Sequence, residues 1–201
     1  MDDLAVTGPT LRVRIPRAAD AAALYREASD HEVTRWFSWG PYRSEDEARA
    51  YLARLPAQRE RGEQLDLVVE LLDGGPIGIS GLSELSVRDR RASIGTWLGR
   101  FWWGTGANRE SKALMCHLAF AVLGLDRLGA YSNVDHVRSL CALERVGFRR
   151  EGILRRYHRH GERALDVVVL GLLRSDWEAG PLREVSVAAT GAPPPAFVVA
   201  G

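Results

Sequence analysis

The chain has 201 residues, of which 46% are hydrophobic and 26% are charged, and these values are typical of one soluble globular domain with its own core. The formal net charge of +1 argues against a protein dedicated to nucleic acids or membrane surfaces, because such proteins carry a basic excess. With two cysteines in the chain, neither a disulfide framework nor a thiolate metal site is expected.

The N-terminal residues and the hydropathy of the chain indicate a cytoplasmic protein. Residues 1–4 lack the basic and apolar regions of a signal peptide, and no apolar run approaches the length that spans a bilayer. We therefore expect a cytoplasmic location, with no nucleic-acid partner and no membrane partner.

The first half of the chain predicts one strand, two helices and an antiparallel meander. Residues 11–15 alternate in hydropathy as a strand does, and residues 18–28 have the apolar spacing of a helix. Ser44 and Glu47 have the residue types and the spacing of a capping box, which predicts a second helix reaching about Arg59. The meander strands are expected over residues 65–72, 77–85 and 91–98.

A glycine-rich turn, WGTGANRE over residues 103–110, joins the third meander strand to a helix expected over residues 104–123. Gly104 and Gly106 allow the backbone to come close to a bulky ligand. Consecutive amides at the start of a helix, together with the positive end of its dipole, favour an anion such as a pyrophosphate. A tight turn that only enters the helix is the alternative for a pair of glycines taken alone.

The second half of the chain predicts one strand, one helix and a final hairpin. These elements are expected over residues 127–132, 135–146, 149–157 and 164–173, with Asp135 capping the helix. The complete order predicts an α/β fold of the α+β type, in which a mixed central sheet of about seven strands is flanked by helices.

The last residues differ from the rest in composition. Residues 180–201 hold four of the nine prolines and two charged side chains, so we expect a poorly ordered tail behind a domain that covers residues 1–179. The apolar stretch 196–199 leaves a second interpretation open, in which the tail packs on a neighbouring subunit of a homodimer.

Three segments together resemble one known family. They are IGTWLG at 94–99 with WGTGANRESK at 103–112, Ser139 with LERVGF at 143–148, and EGILRR at 151–156 with DVVV at 166–169 and SDW at 175–177. In this order and spacing they are similar to the GNAT acyltransferases of the RimJ/RimL-like branch, over about residues 11–177. The resemblance implies a GNAT fold and direct transfer of an acetyl or related acyl group from coenzyme A to an amine, within a ternary complex.

The resemblance also implies an acetyl-CoA site. Amides of residues 103–108 would cradle the pyrophosphate, the strand edge at residues 97–99 would pair with pantetheine, and Arg109 and Lys112 would reach phosphate oxygens. Solvent-exposed helix charges are the alternative for these two cations, and a plain turn residue is the alternative for Asn133. The expected cofactor-binding residues are Trp97, Leu98, Gly99, Trp103, Gly104, Thr105, Gly106, Ala107, Asn108, Arg109, Asn133 and Ser139.

Acylation of an amine needs a group that takes a proton from the ammonium and a donor that stabilises the oxyanion. By resemblance, Ser139 lies near the coenzyme sulfur as an acid, with helix packing as its alternative. His136 titrates in a suitable range, and Glu84 lies in the meander facing the acceptor groove. Solvated side chains are the alternative for both. Relatives often carry an acidic residue where this chain has Ser93, which leaves the base unassigned.

Aromatic residues between the first two helices lie where the family builds its acceptor wall. We therefore expect Trp36, Trp39 and Tyr42 to bind the amine acceptor, a protein N-terminus or a small molecule, with core packing as the alternative. A non-catalytic acyl-CoA-binding sensor or partner module is the rival function. A nucleotide enzyme fits less well, because the glycine turn lacks the Gly-Lys-Ser/Thr ending of a P-loop. The five histidines show no metal-ligand spacing, and no metal is expected.

Overall fold

One sheet of nine strands organises the chain in a computed structural model that describes residues 4–199. The strands are β1 Ala5–Thr7, β2 Leu11–Arg14, β3 Gln64–Leu71, β4 Pro76–Ser86, β5 Arg91–Leu98, β6 Arg127–Asn133, β7 Arg149–His160, β8 Arg163–Leu173 and β9 Ala188–Thr190. Their order across the sheet is β7-β8-β6-β5-β4-β3-β2-β1-β9, and neighbours are antiparallel except β5 and β6, which run parallel. The predicted mixed sheet is confirmed; β1 and β9, which were not predicted, have three residues each and are too short to give a periodic signal.

Helices flank this sheet, as the sequence predicts. They are α1 Ala21–Ala28, α2 His31–Thr34, α3 Glu45–Glu60, α4 Ala107–His117, α5 Val137–Arg145 and α6 Arg174–Glu178. A π-helical turn over Leu118–Val122 extends α4, and Gly124 beyond it has a φ of +79°, which suits a glycine at a helix end. Among the described residues, no helix combines the length and the apolar character needed to cross a bilayer.

Two apolar layers cover the two faces of the sheet, because side chains alternate along a strand. On one face, Leu67 of β3 packs in a cluster with Leu114 of α4. On the other face, Val68 packs with Leu24 of α1 and Leu52 of α3. The alternation places α4 on one side of the sheet and the α1–α3 layer on the opposite side.

Two helix starts differ from the sequence prediction. The Ser44 side chain forms no capping hydrogen bond, and the Glu47 carboxylate instead accepts the backbone N–H of Arg43 at 3.1 Å. At α5 the residue before the helix is His136, not Asp135, because Asn133 Oδ1 accepts the backbone N–H of Asp135 at 2.8 Å and turns the chain there. Both helices are present, but neither begins with the predicted side-chain cap.

The C-terminal segment also differs from the expectation of a poorly ordered tail. Strand β9 pairs with β1, and the side chains of Leu182 and Phe197 are buried in the larger apolar cluster. The backbone N–H of Val199 donates to the carbonyl of Leu123 at 2.9 Å. Apolar side chains therefore fasten this segment to its own domain, and Phe197 is covered without a neighbouring subunit. The part of the tail at residues 200–201 lies outside the described residues.

Phe197 supplies a test of this packing. We expect Phe197→Ala to lower the free energy of unfolding by about 3–5 kcal/mol, because truncating a buried aromatic side chain leaves a cavity. Urea denaturation followed by far-ultraviolet circular dichroism measures the change. Phe101, which is 80% exposed, supplies the control: Phe101→Ala should stay within about 0.5 kcal/mol of the wild type. Equal stability of the two variants would show that the segment does not pack as described.

Candidate active site

Strands β5 and β6 pair over three residues and then separate. Arg91–Ser93 pair with Arg127–Gly129, whereas β5 stays paired with β4 as far as Leu98. The edge of residues 94–98 that faces β6 therefore has no strand partner within the described chain. Backbone N–H and C=O groups on such an edge can pair with an extended ligand.

A cavity of about 250 Å³ lies between the separated strands and is called the β5–β6 cavity below. It extends to the start of α4 on one side and to the start of α5 on the other. Among the predicted cofactor-binding residues, its lining includes Trp97, Leu98, Trp103, Gly104, Asn108, Asn133 and Ser139. The structure thus brings together residues from three separate segments of the chain.

The glycine turn at the mouth of this cavity has the geometry of an anion site. Gly104 and Gly106 have φ angles of +78° and +96°, which a residue with a side chain adopts only under strain. A Cβ added at either position would meet no atom within 4 Å, so both glycines border open space. Within residues 4–199, no acceptor takes the amide hydrogens of Gly104, Thr105 or Gly106, and these donors remain available to an anion.

Trp103 and Arg138 complete the mouth of the cavity. The indole Nε1 of Trp103 donates to the carbonyl of Leu98 at 2.9 Å, which ties the glycine turn to the end of β5. The Arg138 guanidinium lies 3.3 Å from the centre of the Trp103 ring. Burial and the nearby charge of Arg100 lower the pKa of Arg138. The Arg138 cation therefore approaches the turn, and the sequence alone does not predict it there.

Arg109, predicted to reach a phosphate, is directed elsewhere. Its guanidinium donates to the carbonyl of Pro181 at 3.0 Å and lies 3.5 Å from the Glu184 carboxylate. Both partners belong to the C-terminal segment that the sequence led us to expect as a tail. Arg138 would have been found only by knowing that the start of α5 faces the glycine turn.

His136 faces the cavity as a neutral imidazole. Its ring stacks on Trp36, with the centroids 5.0 Å apart and the planes inclined by 15°. Burial, followed by the charges of Arg138 and Arg35, lowers the pKa of His136 to about 4. The buried Nε2 atom has no hydrogen-bond partner within residues 4–199, and the same is true of Ser132 Oγ on the facing strand. These two polar atoms can therefore serve a polar ligand between the strands.

Lys112 is buried beneath the cavity rather than exposed at a phosphate site. Its Nζ donates to the hydroxyl of Thr96, which in turn shares a hydrogen bond of 2.6 Å with Ser80 Oγ. No carboxylate within the described chain forms a salt bridge with this ammonium. Burial lowers the pKa of Lys112 to about 8, with a small opposing effect of Cys116.

A second cavity, of about 670 Å³, lies between α3 and strands β3–β5 and is called the α3 cavity below. Its aromatic lining consists of Phe37, Trp39, Tyr42, Tyr51 and Trp97. Two of the predicted acceptor residues, Trp39 and Tyr42, therefore share this cavity, whereas Trp36 lines the other one. The two cavities have four lining residues in common, namely Phe37, Gly95, Thr96 and Trp97. They consequently meet at the middle of β5.

Glu84 lies on β4, beside the point where β5 and β6 separate. It has a φ of +52° and falls within an irregularity of the β4–β5 register, and such strained positions cluster at functional sites. The carboxylate accepts the hydroxyl of Ser93 at 2.7 Å and the hydroxyl of Tyr131 at 3.1 Å. A carboxylate thus stands next to Ser93, although the strand itself supplies none. No group of three or more His, Cys, Asp or Glu side chains within residues 4–199 is arranged to hold a metal ion.

Lys112 allows a test of the unpaired charge. Its pKa of about 8, against an ordinary 10.5, means that the unfolded chain holds this proton more tightly than the folded protein. The contribution of this group to stability should therefore rise with pH between about 8 and 10.5, and the shift corresponds to a cost of about 3 kcal/mol at pH 7. Above about pH 9 the buried Cys116 thiol, whose pKa burial raises to about 12, acts in the opposite direction. We expect Lys112→Met to raise the urea-unfolding free energy at pH 7 and to remove that rise.

Lys112 is the only lysine of the chain, so the difference between the wild type and Lys112→Met isolates its titration from that of Cys116, which both proteins contain. The wild type serves as the control at each pH. A variant that is less stable at pH 7 and keeps the same slope above pH 8 would show that the ammonium is not buried without a partner.

Comparison with known proteins places the chain in a family. Residues 10–149 match the family model described as "Acetyltransferase (GNAT) domain". The chain is 28% identical over 169 residues to the uncharacterised N-acetyltransferase p20 of Bacillus licheniformis, covering 83% of this chain and 94% of that protein. It is 30% identical over 139 residues to the uncharacterised N-acetyltransferase YoaA of Bacillus subtilis, covering 69% and 78%.

The fold comparison agrees with the sequence comparison. The structure of Mycobacterium smegmatis RimJ in complex with CoA-disulfide superposes with a TM-score of 0.79 at 24% identity, and 90% of each chain is covered. The resemblance to the RimJ/RimL-like branch therefore holds at the level of the fold. With a matching family model over most of its length, the chain belongs to the GNAT acetyltransferases.

Proposed function

We propose that this protein is an N-acetyltransferase that moves an acetyl group from acetyl-CoA directly to a primary amine of a protein N-terminus or a small molecule. The observation that carries the proposal is the meeting of two cavities at Gly95, Thr96 and Trp97 of β5. A thioester held in the β5–β6 cavity and an amine held in the α3 cavity would come together at these residues. Neither Cys116 nor Cys141 lines either cavity, which supports direct transfer over a covalent acyl-enzyme.

Groups that line or border the β5–β6 cavity are suited to bind each part of the acyl donor. The free amides of residues 104–106 and the Arg138 guanidinium suit the pyrophosphate. The unpaired edge of residues 94–98, together with Ser132 and Asn133 on the opposite strand, suits the amides of the pantetheine arm. Ser139 lies on the same wall and is proposed to protonate the departing sulfur.

Glu84 is the base that we propose for the amine. It is a carboxylate at the divergence of β5 and β6, and two hydroxyl groups orient it. His136 is assigned to the acyl donor instead, because it lines the β5–β6 cavity and not the α3 cavity that would hold the amine. Backbone amides on the free edge of β5 are placed to stabilise the oxyanion. Glu84 lines neither cavity, whereas Tyr131, whose hydroxyl donates to Glu84 at 3.1 Å, lines the β5–β6 cavity. The proton released by the amine thus passes to Glu84 through the Tyr131 hydroxyl as the new amide bond forms.

The acyl-CoA site is tested by calorimetric titration with acetyl-CoA. We expect micromolar binding by the wild type and at least a tenfold loss in the double variant Gly104→Val and Gly106→Val, because side chains there would fill the anion site and strain the turn. Gly161→Val is the matched control, since Gly161 also has a positive φ and borders open space but lies in the β7–β8 turn. Absence of wild-type binding would refute the proposed acyl donor.

The base is tested by Glu84→Gln. We expect kcat for the best amine found in a screen to fall by about 10²–10⁴-fold, which is the usual contribution of general acid–base catalysis, while acetyl-CoA binding stays unchanged. Asp89→Asn is the control, because Asp89 lies in the following turn and caps it through Ser86. An unchanged kcat in Glu84→Gln would rule out the assigned base. Acetyl-CoA binding without turnover of any amine would favour the non-catalytic sensor.

A further inference from the structure

Asp66 is a buried carboxylate that has no cationic partner. It is 8% exposed, and its hydrogen-bond donors are the neutral Tyr51 hydroxyl and the neutral Gln64 amide, the latter at 2.7 Å. Within the described chain no arginine, lysine or histidine forms a salt bridge with it. A carboxylate in this position is poorly solvated, and burial raises its pKa. An incoming cation would therefore find a strong partner here.

The neighbouring strand makes room for this carboxylate. Asp66 of β3 pairs with Gly81 of β4, and Gly81 pairs with Gly95 of β5. A Cβ at Gly81 would lie 1.8 Å from Asp66 Oδ1, so a side chain there would displace the carboxylate. A Cβ at Gly95 would meet nothing within 4 Å. Gly81 thus leaves room for the Asp66 carboxylate over β4, and Gly95 leaves an open trough beside it, where the cavities meet.

The length of this trough follows from the sheet. Because the Asp66 carboxylate reaches over Gly81 and adjacent strands lie about 4.8 Å apart, about one strand spacing, roughly 5 Å, separates this carboxylate from Gly95. All three residues line the α3 cavity. A linear molecule lying across the strands would therefore place one end at Gly95 and the other end at the Asp66 carboxylate.

Aromatic rings cover the trough. The Trp39 ring lies 5.6 Å from that of Trp97 and 5.4 Å from that of Tyr42, and the faces of such rings attract cations. Two further charged residues, Glu47 and Arg54, line the cavity. Glu47 already accepts the backbone N–H of Arg43. The charge of Arg54 lowers the pKa of both Tyr42 and Tyr51 in opposition to burial, so Arg54 lies near these two phenols. The hydrogen-bond donors to Asp66 are nevertheless Tyr51 and Gln64.

We propose that the α3 cavity selects linear diamine acceptors, with the reacting amine at Gly95 and the distal cationic group paired with Asp66. The inference rests on the proposed function for the identity of the reacting end. The Asp66 subsite itself is a binding site and can be tested without turnover. A neutral-tailed amine of equal length gains the aromatic contacts but not the ion pair.

The experiment compares 1,4-diaminobutane with butylamine, which have the same chain length and differ in the distal charge. Binding is measured by quenching of tryptophan fluorescence, since Trp39 and Trp97 line the cavity, with and without saturating coenzyme A. We expect the wild type to bind the diamine at least tenfold more tightly. Asp66→Asn should remove this preference and leave butylamine binding unchanged. Asp46→Asn, on the exposed side of α3, is the charge-matched control.

The outcomes of this experiment test the Asp66 subsite separately from the proposed acetyltransferase activity. Equal binding of the two amines by the wild type, or no binding of either, would overturn it without any variant. An equal loss of both amines in Asp66→Asn would likewise overturn it. Preferential diamine binding without turnover would retain the subsite and refute the transferase. In a steady-state assay with acetyl-CoA, the subsite predicts that Asp66→Asn raises KM for the diamine at least tenfold with little change in kcat.

Discussion

The separation of β5 from β6 is the constraint on which the rest of the site depends. β5 is held by β4 as far as Leu98, and β6 is held by β8 as far as Asn133, so each strand stays fixed on its outer edge. The facing edges of β5 and β6 stop pairing after Ser93 and Gly129. Backbone groups left in such a gap need water or a ligand as partner. The β5–β6 cavity and its access to the start of α4 both follow from this gap.

The buried charged side chains are of two kinds. Some are paired with an opposite charge and stabilise the fold, whereas others have no such partner and are connected with function. Arg14 is paired with Asp20 at 2.7 Å and with Glu70 at 2.6 Å, and although burial opposes it, this pairing lowers the pKa of both carboxylates. Lys112 and Asp66 are equally buried but have no such partner. An unpaired buried charge costs stability. Because both charges line cavities that meet at β5, we interpret that cost as part of the machinery for binding and transfer.

Short-range patterns in the sequence predict most of the longer strands and helices. Strand β5 has the predicted bounds, and Gly104 and Gly106 border open space in a turn that the sequence already marked as a phosphate site. What the sequence could not provide is the register between strands. The alignment of Asp66 with two glycines depends on pairing across three strands, and no local pattern encodes it. Phe197 was missed for a similar reason, because a short apolar stretch among prolines shows its partner only in three dimensions.

Ser93 shows how a correct local observation can be incomplete. The strand indeed lacks the acidic residue that relatives often carry, and this absence left the non-catalytic alternative open. In space, the irregular β4–β5 register turns the Glu84 carboxylate to within 2.7 Å of the Ser93 hydroxyl. A catalytic group needs a position relative to its substrate and not a place in the chain. A neighbouring strand can therefore supply the carboxylate, and the positive φ of Glu84 is the backbone strain that this arrangement requires.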